Sequence, residues 1–227
     1  MGEYKHYLSV RAPLNKDVSY QEIAYNNREV MIKKGESRLG CVIGAYGACY
    51  ALRNDLYVPV PKNFIVDDFF LFMNVLKKGF YTVINEKAVC EMEISGDSKI
   101  EFQRKIRIGS GNFQNFFYFK SFWLPLTITS WVYWSHKVLR WFTPFFLALL
   151  LLCNIYMLKL NSIFIGSLVL QLMIYSIGFI DSFLEKIRVK FKIFRFIKHF
   201  LFMNFALFLG FIKFVKGIPK SSWDTKN

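Results

Sequence analysis

The sequence predicts a soluble α/β head followed by an all-α membrane region, built from an interface helix and two or three transmembrane helices. Three observations lead there. Residues 1–120 mix charged stretches with short β-branched or aromatic runs bounded by Gly, Pro and Asn, the pattern of small α/β elements. From Phe116 onward long apolar runs take over. Across the chain 54% of residues are apolar and 26 are Phe, which is heavy for a soluble fold. The expected divisions are a head over 1–120, an amphipathic interface helix over 121–141, transmembrane helices over 142–218 and a basic tail over 219–227.

Within the head, the first dozen residues give little signal. From Val18 to about Arg38, the apolar positions Ile23, Val30 and Ile32 among Glu, Asn, Arg and Lys predict an amphipathic helix, capped by Asp17 or Ser19 and ending near Gly40. The stretch Gly40–Arg53 combines three glycines with small and aromatic residues, as expected of a tight loop where backbone must approach a ligand. Pro59 and Pro61 then break the chain. From Asp68 to Lys78, Leu71, Phe72, Val75 and Leu76 have helical spacing, so Asp67 and Asp68 fall at a helix N-terminus, where the dipole favours their ionised form. Gly79 ends that helix, and Tyr81–Ile84 and Ala88–Ile94 read as strands.

In residues 122–141, tryptophans interleave with His136, Lys137 and Arg140, the composition of a helix lying in the headgroup region. After Pro144 the run to Leu158 is almost wholly apolar and, with Trp141–Thr143, reaches the roughly 17 to 20 residues a span needs. Ile163–Ile180 is a second such run. The cations between Glu185 and Lys198 place that connection in the cytoplasm by the positive-inside rule. The third run, Phe200–Val215, is shorter and contains Asn204, Gly210 and Lys213. With Lys216, Lys220 and Lys226 behind it, charge argues for a re-entrant or in-plane helix.

The formal net charge of +14 points to anionic lipid or anionic substrate. Nucleic acid is disfavoured because the cations sit beside apolar spans. Cys41, Cys49, Cys90 and Cys153 show no CxxC spacing, which argues against a structural zinc site and reads as buried thiols in a reduced compartment. The opening Met1–His6 lacks the apolar core of a secretory signal, so none is expected.

The residues able to carry chemistry begin with Asp67 and Asp68. Such a pair can cap a helix, bind a metal or act as a general base. The surrounding Phe64, Ile65, Val66, Phe69 and Phe70 imply partial burial and a raised carboxyl pKa, which suits a base that takes the proton of an attacking hydroxyl. Arg104 and Arg107, three apart with Lys105 between, match phosphate oxygens, although a solvated basic face has the same spacing. Gly109-Ser-Gly111 follows.

Taken in order, these segments resemble the second half of a family 2, inverting, membrane-embedded glycosyltransferase of the group that includes cellulose, chitin and hyaluronan synthases. Gly44–Arg53 is similar to that family's acceptor-side glycine segment, Val66–Leu71 to its Glu/Asp-Asp-x-x-Leu motif, and Phe102–Gln114 to the region of its Gln-x-x-Arg-Trp motif. Ser135–Trp141 with Pro144 is similar to its interface-to-membrane junction, and Trp223 to a terminal aromatic. The resemblance implies a partial GT-A-like domain in which Asp68 deprotonates the acceptor hydroxyl and Asp67 supports it. It further implies that Arg107, with Arg104, binds the donor diphosphate, and that Gly47, Ala48 and Cys49 line the acceptor side. The implied partners are a nucleotide-sugar donor, a glycan or lipid-linked acceptor and membrane lipid, and the implied location is the inner cell membrane with the head cytoplasmic.

Three departures shape the expectation. Arg104 stands where processive members have Gln, and Ile108 where they have the acceptor-stacking Trp, so processive polymerisation is not implied. No Asp-x-Asp occurs, so the ligands for the Mg or Mn ion of an intact enzyme are expected on a separate N-terminal half. The competing expectation is a non-catalytic membrane protein, or inactive remnant, that binds a partner or anionic lipid.

Overall fold

The structure, a computed structural model, describes residues 9–11, 20–47, 50–85, 88–91, 98–186 and 191–217. Helices dominate them: α1 (Tyr20–Arg38), α2 (Asp67–Lys77), α3 (Ser98–Tyr118), α4 (Ile128–Tyr133), α5 (Leu139–Met157), α6 (Ser162–Lys186) and α7 (Lys192–Val215). A π-helical stretch, Trp134–Val138, joins α4 to α5, so the helix runs unbroken from Ile128 to Met157 and through Pro144.

The α/β expectation for the head is corrected. Among the described residues, β-structure amounts to two three-residue segments, β1 (Ser9–Arg11) and β2 (Val89–Glu91), paired parallel with each other. Tyr81–Ile84 is no strand. Thr82 makes a single bridge to Cys41, with Thr82 N donating to Gly40 O at 2.9 Å and Val42 N to Thr82 O at 3.2 Å. Residues 92–94 of the other expected strand lie outside the described residues. The physical reason is that short β-branched runs do not specify a sheet without further strands to pair with. Here aromatic side chains on helices fill the core instead.

That core joins α2 to α3 and to the long helix. Phe69 and Phe70 of α2, Phe113 and Phe116 of α3, and Tyr133, Val138 and Trp141 are all buried. Ring centroids lie 5.6 Å apart for Phe69–Trp141 and 5.7 Å for both Phe70–Phe119 and Phe113–Phe142, pairs each worth about 0.5–1.5 kcal/mol beyond area burial. Helix α2 spans Asp67–Lys77, one residue earlier at each end than its sequence predicts, and the chain turns at Gly79, whose φ of 81° is the left-handed turn that glycine adopts without cost.

Helix α1 also forms, but its buried side is charged rather than apolar. Glu29, Lys33 and Glu36 are buried, while Met31 is 73% and Ile32 36% exposed. The inward side is charged because it meets charged partners on the long helix, while Met31 and Ile32 face outward, Val30 is half-buried and the side chain of Ile23 lies outside the described residues.

Three helices are long and apolar enough to cross a membrane, Ile128–Met157, Ser162–Asp181 and Lys192–Val215, and the chain is a multi-pass membrane protein. Polar contacts tie them together. Asn154 Nδ2 of α5 donates to Gln171 Oε1 of α6 at 2.9 Å, and Gln171 Nε2 donates to Leu147 O at 3.1 Å. Lys198 of α7 pairs with buried Asp181 of α6 at 3.3 Å. Helix α7 also follows α3 in parallel along its length: Phe202 meets Phe102 at 4.4 Å, Phe211 meets Phe113 at 5.0 Å and Phe214 meets Phe117 at 5.4 Å. Between them Gly210 crosses Gly109, where a Cβ on Gly210 would stand 2.9 Å from three backbone atoms of α3.

Candidate functional site

Asp67 and Asp68 occupy the first turn of α2. Their carboxylates turn back on the backbone: Asp67 Oδ1 accepts from Asp68 N at 3.0 Å and Asp68 Oδ1 from Phe69 N at 2.8 Å. Asp67 is exposed and Asp68 half-buried. Burial pushes the Asp68 carboxyl above its ordinary value; the Phe69 N–H opposes this, Asp67 adds to it, and Lys33 and Lys137 oppose it. Its second oxygen faces the glycine segment, since a Cβ on Gly47 would lie 3.1 Å from Asp68 Oδ2. The structure therefore brings together Asp68 and Gly47, two residues that the sequence placed in one site. Ala48 and Cys49 lie outside the described residues.

Helix α1 holds the glycine segment against this carboxylate. Lys33 Nζ donates to Gly44 O at 2.7 Å and Ala45 O at 3.2 Å, and lies 4.0 Å from the centroid of the Tyr46 ring. Glu36 Oε2 accepts from Ile43 N at 3.1 Å. Gly44 has φ 75°, and a Cβ there would come within 2.7 Å of the Phe69 ring, so both backbone and space require glycine. Burial pushes the Lys33 ammonium down, with Glu29, Glu36 and Asp68 opposing.

Behind Lys33 stands an ion network absent from the sequence expectation. His136 Nδ1 meets Glu36 Oε1 at 2.5 Å and His136 Nε2 meets Glu29 Oε2 at 3.2 Å. Lys137 Nζ donates to Glu29 Oε2 at 3.2 Å, and Arg140 pairs with Glu29 Oε1. Burial alone would push Glu29 up; the His136 hydrogen bond and the charges of Lys137, Arg140 and His136 overcome it and hold the carboxyl well below the usual range. This corrects the headgroup-facing reading of the basic cluster. His136 and Lys137 are buried and turn inward because α1 supplies the counter-charge that lipid phosphates were expected to supply. Glu29, Lys33 and Glu36 stand at i, i+4 and i+7 on one helix face, a spacing that does not name their partners.

Helix α3 braces the segment before the Asp pair. Gln114 Nε2 donates to Asn63 O at 2.9 Å and Gln114 Oε1 accepts from Ile65 N at 3.3 Å. A Cβ on Gly111 would overlap Val66 Cγ2 at 2.5 Å. Arg107 and Arg104 lie one and two turns before Gly111 on the same side of α3. Both nitrogens of the Arg104 fork that face Glu101 donate to it at 2.7 Å, and Lys105 pairs with the same carboxylate at 3.0 Å.

Cys41 is a buried free thiol, but Cys153 is exposed on α5, which corrects its reading as buried: α5 turns that face outward from the bundle. The side chains of Cys49 and Cys90, together with Trp223 and the 219–227 tail, lie outside the described residues. Among the described residues no group of three or more His, Cys, Asp or Glu side chains is placed to hold a metal ion, so the divalent ion implied by the resemblance has no ligand set there. No protein-family model, no curated protein and no solved structure matches the chain.

Proposed function

We propose that the chain is the C-terminal part of an inverting membrane glycosyltransferase, with Asp68 as its general base. The single observation that supports this best is the half-buried Asp68 carboxylate facing Gly47, with burial raising its proton affinity and the preceding loop anchored by the Lys33 bond to Gly44 O. In this reading an acceptor hydroxyl on a glycan or lipid-linked sugar donates to Asp68. Its oxygen attacks the anomeric carbon of the donor as the bond from that carbon to the diphosphate oxygen breaks. The proton passes to Asp68 and the nucleoside diphosphate leaves with the bonding electrons. Asp67 supports Asp68, while Arg107 and Arg104 offer positive charge to the departing diphosphate from the α3 face that braces the Asp67 segment.

Donor binding is assigned to a separate nucleotide-binding half, which would also carry the ligands for Mg or Mn. The location proposed is the inner membrane with the head in the cytoplasm, on the side of the basic ends of α5 and α7. Deleting the chain from its source cell is expected to abolish a distinct incorporation of labelled sugar from nucleotide sugars into membrane glycan or lipid, and restoring it to recover that product. Unchanged incorporation across all donors would end this reading.

A further inference from the structure

We propose that the cavity enclosed by α1, α3, α5 and α7 binds the phosphate headgroup of an anionic membrane lipid. Its volume, about 490 Å³, falls in the range of small-molecule sites. The cations Arg28 of α1, Lys105 of α3, Lys137 of the π-helical stretch and Arg140 of α5 line it together with the imidazole of His199 on α7, and none of the described residues lining it is a carboxylate. The counter-charges stand behind the wall: Glu29 takes Lys137 and Arg140, and Glu101 takes Lys105. Four basic side chains therefore converge on one space whose described lining holds no acid, with the carboxylates that pair three of them set behind the wall, an arrangement that attracts a phosphate.

The rest of the lining selects a lipid over free phosphate. Ile108, Met203, Leu207 and the rings of Phe196 and Phe200 make it apolar. Phe196 is 41% and Phe200 45% exposed on α7, so an alkyl chain can leave along a helix suited to the bilayer. Asn204, also on the wall, donates Nδ2 to Phe200 O at 2.8 Å and leaves its buried Oδ1 without a hydrogen-bond partner. The site stands independently of glycosyl transfer at Asp68.

The test uses the full chain purified in neutral detergent, with bound lipid counted by native mass spectrometry against phosphatidylglycerol, phosphatidylcholine and inorganic phosphate. Phosphatidylglycerol is expected to bind at least about tenfold more tightly than phosphatidylcholine, and millimolar inorganic phosphate is expected not to displace it. Arg28→Ala and Lys105→Ala should each weaken phosphatidylglycerol binding about fivefold, and Met203→Trp, which fills the apolar half, should weaken it without altering the helical circular dichroism. Equal affinity for the two lipids, wild-type affinity in both Ala variants, or displacement by inorganic phosphate would each overturn the proposal.

Discussion

Asp68 and Glu29 are both carboxylates at buried or half-buried positions, yet their surroundings drive them in opposite directions. Asp68 is raised chiefly by burial beside another acid, so the acid limb of sugar transfer is expected above the ordinary Asp value of 3.8, measurable as a pH–rate profile that Asp67→Asn shifts downward. Glu29 is held low. A carboxylate depressed in the folded state contributes stability that is complete above its ordinary value of 4.5 and is lost as pH falls below it. Thermal unfolding in detergent is expected to show that loss in the native chain, with Glu29→Gln costing about 3–5 kcal/mol at neutral pH because Lys137 and Arg140 then lose their buried partner. The acid pair was legible in the sequence from its apolar neighbours. The ion network was not, because the partners of Glu29 and Glu36 lie more than a hundred residues away in the former case and a hundred in the latter, and burial of a charged face shows no apolar period to read.

Glycine crossings decide the arrangement of elements. At Gly210 a methyl group would meet three backbone atoms of α3 at 2.9 Å, and backbone cannot rotate aside as a flexible side chain can. Gly210→Ala is therefore expected to separate α7 from α3 and lower the unfolding midpoint, whereas Gly166→Ala, with open space around it, should hold or slightly raise it. Within the bundle, Gln171→Leu removes interhelical hydrogen bonds to Asn154 and Leu147 and is expected to cost about 0.6–1.7 kcal/mol. The long apolar helices were readable from composition. The sheet was misread because Tyr81–Ile84 has strand-like residues but only one bridging neighbour, and the polarity of α1 was misread because three apolar residues outweighed a charged face in the expectation.

At the scale of the molecule, α7 pairs with a polar helix from Phe102 to Phe117, which favours an in-plane course along the head over an independent crossing. Cysteine placed at Lys216 is then expected to label from the same side as one placed at Lys78 on the head; labelling from the opposite side would establish a third crossing. The composition shift near Phe116 made the membrane region legible, but this association of α7 with α3 depends on small residues at Gly109 and Gly210 that carry no hydrophobic signal. The central claim remains chemical: one carboxylate at the start of α2 removes the acceptor proton. Its most direct test compares labelled-sugar incorporation by membranes of the source cell carrying the native chain, Asp68→Asn or no chain. The expected result is that Asp68→Asn loses about 10²–10⁴-fold of the chain-dependent incorporation while the protein persists at native levels in the membrane. Undiminished transfer by Asp68→Asn would contradict the assignment.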